Sequence, residues 1–237
     1  MTPTLVGAAH GSGDPAAAVV TRELLAAVRA RRPALDVREA YLDHTPPSLT
    51  DALGALPGPA VVVPLLLGHA YHSRVDIPAA LPSAAHLVVQ ADVLGPDDLL
   101  VTALERRLTE VGVAVGDPAT SVVLAAAGSS DPAAVAEVRA VAARWRDRGW
   151  ADVVAAFGSA AEPTVASAVR ALRASGVPRV AVSAYLLFPG RFAATIAADA
   201  AAEGSDVTAA PLGAALEVVE LVLRRYDAAV ATIAASG

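Results

Sequence analysis

The same α/β plan is written twice in this chain, and that duplication constrains the fold more than any other feature. The stretch SVVLAAAGSSDP (121–132) repeats the opening LVGAAHGSGDP (5–15). AAFGSAAEPT (155–164) echoes EAYLDHTPPS (39–48), and VAVSAYLLFPGRFAATI (180–196) echoes VVVPLLLGHAYHSRVDI (61–77). Three echoes in one order imply two copies of one domain. GVAVGDPA (112–119) is the linker between them.

Within the first copy, 61–67 is an uninterrupted apolar run rich in β-branched residues, the pattern of a strand buried on both faces. Residues 4–9 read as the first strand. Asp14 is placed to cap a helix that opens at Pro15 and runs to about residue 32. A second strand is expected over 35–42 and a short helix from Ser48. Gly68 ends the third strand, and a helix opens at Ser73 and runs to about residue 81. A fourth strand is expected over 86–93, with His86 structural at its start. A helix follows over 97–111. The alternation predicts a parallel sheet covered by helices. The expected architecture is two flavodoxin-like parallel-sheet domains, 1–113 and 118–237. A pseudo-two-fold axis would relate them, with strand ends facing each other across a cleft.

Composition narrows the function. The chain is 55% hydrophobic with mean hydropathy +0.51. Its apolar runs are nonetheless of strand length or are broken by Arg, Asp and Pro, so no membrane span is expected. There is no cysteine, which excludes thiolate metal sites and cysteine nucleophiles. All 18 basic residues are arginine, which excludes Schiff-base chemistry and a phosphate-clamping lysine. A net charge of −6 argues against a nucleic-acid partner. The N-terminus shows no basic, apolar leader, and the cytoplasm is the expected compartment.

The difference between the copies carries the chemistry. All five histidines lie in the first. His10 is matched by Ala127, Asp43 by Ser159 and His72 by Arg191, whereas Gly11, Ser12, Asp14 and Pro15 recur as Gly128, Ser129, Asp131 and Pro132. His10, Asp43 and His72 follow strands one, two and three, and open α/β sheets place ligands at such strand ends. Two imidazoles and a carboxylate suit a divalent first-row metal with open coordination positions. His44 stands beside Asp43 and either tunes or replaces it. His69 shares the loop of His72, in or out of contact with the metal. His10-Gly11-Ser12-Gly13 is a weak phosphate cradle, lacking both GxGxxG and a lysine. Gly11-Ser12 lacks the GxSxG frame of a nucleophile elbow.

AHGS after strand one, YLD after strand two and PLLL…YHSRVDIP after strand three resemble the class II chelatases. Those sirohydrochlorin chelatases insert Fe(II) or Co(II) in siroheme and cobalamin synthesis. The resemblance covers the whole chain, since long members carry two fused halves. It implies that His10 and His72 bind the metal, with Asp43 as the assisting acid and the three together catalytic. Relatives commonly have Glu at this last position. The metal is a substrate (Fe2+, Co2+ or Ni2+), and no organic cofactor is implied. The tetrapyrrole's carboxylate arms would be received by arginine forks and polar loop groups. Ser12, His44, Tyr71, Arg74, Arg191 and Phe192 are the substrate-binding candidates. A chain carrying both halves is expected to be a monomer. Three other readings compete: a non-catalytic tetrapyrrole or metal carrier of the same fold, a metal-dependent hydrolase, and a periplasmic-type binding protein. No carboxylate-rich second metal site supports the hydrolase, and no signal peptide supports the binding protein.

Overall fold

The computed structural model describes residues 2–69 and 72–236; of His72 and of 234–236 only the backbone is described. Chain order is β1 (Thr4–Ala9), α1 (Pro15–Arg31), β2 (Val37–Tyr41), α2 (Leu49–Gly54), β3 (Ala60–Pro64), a π-helical turn (His72–Asp76), α3 (Ile77–Ala80), a 3₁₀ turn (Leu81–Ser83) and β4 (Val88–Gln90). Then follow α4 (Asp98–Glu110), β5 (Thr120–Ala126), α5 (Pro132–Arg146), β6 (Asp152–Phe157), α6 (Val165–Ala174), β7 (Arg179–Tyr185), α7 (Arg191–Ala202), β8 (Val207–Ala209) and α8 (Leu216–Ser236).

The strands form two four-stranded parallel sheets, ordered β2-β1-β3-β4 and β6-β5-β7-β8. The expected flavodoxin-like parallel architecture is what the chain adopts. Every residue of β1, β3 and β5 is buried, as continuous apolar strands covered on both faces require. The helix starts repeat as well. Asp14 accepts from the Ala16 N–H and Asp131 from the Ala133 N–H, each at 2.9 Å, with Pro15 and Pro132 in the first helical position.

The two compact units are Met1–Gly95 with Gly213–Gly237, and Pro96–Leu212. Each therefore takes its last helix from the other sequence repeat. In the first unit α8 packs on β3, β4 and α1. Arg225 donates to the carbonyls of Val93 (2.7 Å) and Leu94 (3.0 Å), and the Tyr226 hydroxyl donates to Pro3 (2.6 Å). In the second unit α4 packs on β7 and β8, and Arg107 donates to the carbonyl of Leu212 (2.7 Å). Buried Glu105 of α4 accepts from Trp145 Nε1 at 3.0 Å and from Arg148 at 3.3 Å. No described helix is long and apolar enough to cross a membrane.

Two expectations need correction. The helix expected from Ser73 is broken into a π-turn, one turn of α-helix and a 3₁₀ turn. Pro78 and Pro82 lack the N–H groups that a continuous α-helix would use. The fourth strand is three residues long, and His86 lies exposed in a bend before it. β4 is an edge strand whose register with β3 begins at Ala60 opposite Val88. Just ahead of Val88 the Ala60 N–H donates to the Leu87 carbonyl. His86 therefore does not have the structural role its sequence context implied.

Candidate metal and tetrapyrrole site

The order β2-β1-β3 reverses the chain's direction of travel between β1 and β3, and open α/β sheets bind ligands at such a switch point. His10 leaves β1 there. Two backbone bonds draw the loop after β2 against it: Leu42 N–H to Ala9 C=O at 3.0 Å and Asp43 N–H to His10 C=O at 2.8 Å. The contact needs Gly11. Its φ is +91°, and a β-carbon would meet the Asp43 carbonyl oxygen at 1.8 Å.

This approach brings His10, Asp43 and His44 together. The His10 and His44 rings stack with centroids 6.4 Å apart and planes at 21°. The Asp43 carboxylate accepts from the His44 backbone N–H at 2.7 Å and reaches His44 Nε2 at 3.3 Å. His10 Nδ1 lies 3.2 Å from the Gly11 carbonyl. A carbonyl only accepts, so this hydrogen bond exists in the Nδ1–H tautomer, which leaves a lone pair on Nε2. At the end of β2, burial and then Glu39 push the Tyr41 phenol up to about 12, so it stays protonated in use.

His44 has φ +59°, a conformation uncommon for a residue with a side chain, and Ala160 has φ +57° at the equivalent place. The conformation belongs to the duplicated loop. Ser12 is similarly shared: its Oγ accepts from the Asp14 N–H at 3.0 Å, as Ser129 Oγ does from Asp131. Both serines shape the turn ahead of a helix.

His72 opens the π-turn and Arg74 is exposed within it. Tyr71 lies outside the described residues, as does the His72 side chain. Among the described residues no three His, Cys, Asp or Glu side chains group to hold a metal ion. His69 Nε2 is 3.3 Å from Asp92 Oδ1. Neither Asp92 nor Gln90 was a candidate on sequence; the signal was two polar residues at the end of an apolar strand, in LVVQADV.

Arg191 is the first residue of α7 and Phe192 the second, both exposed. Phe192 lies beside Gly158 at the end of β6. The strand registers refine their equivalence to His72. Val6 pairs with Val62 and Val123 with Val182, and the carbonyls of Leu66 and Leu186 accept from Leu94 and Leu212. The segment from Leu66 to buried Ile77 is thus one residue longer than that from Leu186 to buried Ile196. Counted from the helix, His72 matches Arg191; counted from the strand, it matches Phe192. A π-turn accommodates one such extra residue, and π-turns are frequent at functional sites.

The molecule is thus a duplicated flavodoxin-order α/β protein with imidazoles at the strand ends of one copy only. The chain belongs to the CbiX family, whose model matches residues 4–111 and again 121–229. Both the duplication and the resemblance carried by the three motifs are borne out. A sirohydrochlorin ferrochelatase of Priestia megaterium is 30% identical over 135 residues, 54% of this chain and 50% of that protein. A sirohydrochlorin cobaltochelatase of the same organism is 26% identical over 194 residues, 76% of this chain and 63% of that protein. The chain thus spans half and somewhat under two thirds of these curated relatives. SirB from Bacillus subtilis, solved with Fe3+, superposes with a TM-score of 0.78 at 23% identity, covering 95% of this chain and 94% of that one.

Proposed function

We propose that this chain inserts a divalent metal, Fe2+ or Co2+, into sirohydrochlorin or a related tetrapyrrole, with no organic cofactor, acting as a cytoplasmic monomer. The observation that carries the reading is the grouping of the His10 imidazole with the Asp43–His44 pair at the switch point of one duplicated sheet. The names of the two Priestia relatives support the substrate pair.

Insertion exchanges one M2+ for two protons on the macrocycle's nitrogens. His10 and His72 hold the metal as it sheds water. The departing protons pass to imidazole nitrogen, with Asp43 and His44 assisting. Asp43 is one methylene shorter than the Glu common in the family, which suits a proton or water-mediated contact. The substrate's carboxylates take Arg74 and Arg191, with Ser12 and Tyr71 as polar contacts and Phe192 against the ring.

The test is turnover. Purified protein given sirohydrochlorin and Fe2+, Co2+ or Ni2+ is expected to convert the absorption spectrum of the free macrocycle to that of the metallated one. Conversion no faster than in protein-free buffer for every metal would leave a carrier as the better reading.

A further inference from the structure

The loops after β1 and β2 are pinned to each other at both ends. At the near end the Asp43 N–H donates to the His10 carbonyl at 2.8 Å. At the far end the Thr45 hydroxyl meets Ser12 in both directions. It accepts from the Ser12 N–H at 3.5 Å and donates to the Ser12 carbonyl at 3.3 Å. A hydroxyl has one donor and two acceptor positions, so one side chain can make both bonds. Thr45 is half-buried, whereas Asp43 and His44 beside it are exposed.

The turn between the two pins needs holding. The Thr45 N–H donates to the Asp43 carbonyl at 2.7 Å, which closes a three-residue turn around His44 at φ +59°. A residue with a side chain is strained in that conformation and persists in it where its surroundings fix it. The second unit is an internal comparison. Its turn around Ala160, at φ +57°, is also tied by a hydroxyl, but from a different place: Ser159 Oγ donates to the Ala127 carbonyl at 3.0 Å. Ser159 and Ala127 stand where the first unit has Asp43 and His10, and Ala161 stands where it has Thr45. An ionised carboxylate only accepts, so Asp43 cannot make the bond that Ser159 makes. In the copy with the imidazoles the hydroxyl tether has moved two residues on, to Thr45, and position 43 carries an acid turned to His44.

Building on the reading of His10, Asp43 and His44 as the metal and proton site, we propose that Thr45 is a positioning residue for that group. Its clasp on Ser12 holds the turn that sets the His44 ring against the His10 ring. It replaces a tether of the Ser159 kind and leaves position 43 to a carboxylate.

Co2+ binding, read from its visible absorption, gives a measure independent of turnover. Thr45→Val keeps the side-chain shape and removes the hydroxyl. Losing this pair of bonds is expected to weaken Co2+ binding about fivefold and to lower kcat by about as much, with KM for sirohydrochlorin within about twofold of the parent. Thr45→Ser keeps the hydroxyl and should bind Co2+ like the parent. Ser159→Ala removes the tether of the second unit and should lower the melting temperature without moving Co2+ affinity. Thr45→Ala, which gives this place the side chain of Ala161, serves if Thr45→Val does not fold. Parental Co2+ affinity in the folded variant without the hydroxyl, a loss in Thr45→Ser equal to that in Thr45→Val, or an equal loss in Ser159→Ala overturns the proposal. His10→Ala separates the two levels. If it binds Co2+ like the parent, the site reading itself fails. If it loses the metal while the Thr45 variants keep it, only the positioning role fails.

Discussion

Gly11 and Asp43 meet backbone to backbone, so closely that a β-carbon on Gly11 would overlap the Asp43 carbonyl oxygen. Gly128 and Ser159 repeat the relationship in the second unit, at 1.9 Å. The pair gives an experiment with a built-in reference. Gly11→Ala must push the loop of Asp43 and His44 away from His10, and Gly128→Ala must do the same where no imidazole stands. Each is expected to cost at least about 2 kcal/mol of stability through strain and overlap. Only Gly11→Ala should weaken Co2+ binding. Equal Co2+ affinity in the two variants would show that loop contact does not organise the site.

His10→Ala and His86→Ala form a contrasting pair. His10 sits at the switch point, and its replacement should abolish metal insertion with little change in melting temperature. His86 is exposed in a bend, so its replacement should change stability by no more than about 0.5 kcal/mol and leave insertion alone. Thermal melts and absorbance assays on both proteins check this. Insertion by His10→Ala at the parental rate would remove His10 from the mechanism.

Arg191 is exposed at the start of α7, and a guanidinium there can pair bidentately with a carboxylate arm. Arg191→Ala is expected to raise KM for sirohydrochlorin roughly tenfold, the effect of losing about 1.4 kcal/mol, while Co2+ affinity stays at the parental value. Arg191→Lys should recover part of the loss, since it keeps the charge without the fork. An unchanged KM in Arg191→Ala would take substrate binding away from this residue.

Arg107 and Arg225 are the matched anchors of the exchanged helices. Each donates from its guanidinium to main-chain carbonyls just beyond the last strand of a sheet. Charged donors to such acceptors contribute about 1.5–3 kcal/mol, so Arg107→Ala and Arg225→Ala should each lower stability by that order in urea unfolding. Arg224, more exposed and four residues from Glu220, is the comparison; its loss should cost about 0.5 kcal/mol or less. Equal effects of all three would mean the carbonyl anchors are not what holds the helices.

The features legible in the sequence were those written in local pattern. The buried strands announce themselves as apolar runs, and Asp14-Pro15 and Asp131-Pro132 mark helix starts by cap chemistry alone. His10 and Asp43 were legible as a pair because β1 and β2 are consecutive and adjacent. The π-turn was not, because its signature is a hydrogen-bond register rather than a residue period; Pro78 was the one visible hint. Gln90 and Asp92 escaped because their partners, Ser73 and His69, lie far back along the chain. The destination of α4 and α8 was hidden for a different reason: an amphipathic helix shows which face is apolar, not which sheet will cover it.

That exchange has a bearing on how such a chain arose. Cut between 112 and 119, neither piece owns a finished body. The N-terminal piece has a sheet without α8 and an α4 without β7 and β8, and the C-terminal piece has the converse. A single-repeat ancestor with the same helix placement would have been complete only as a pair, each copy lending its last helix to its twin. With both repeats in one chain the loan is internal. The exchange does not depend on the imidazoles, and the second copy carries Ala127 and Ser159 where the first carries His10 and Asp43.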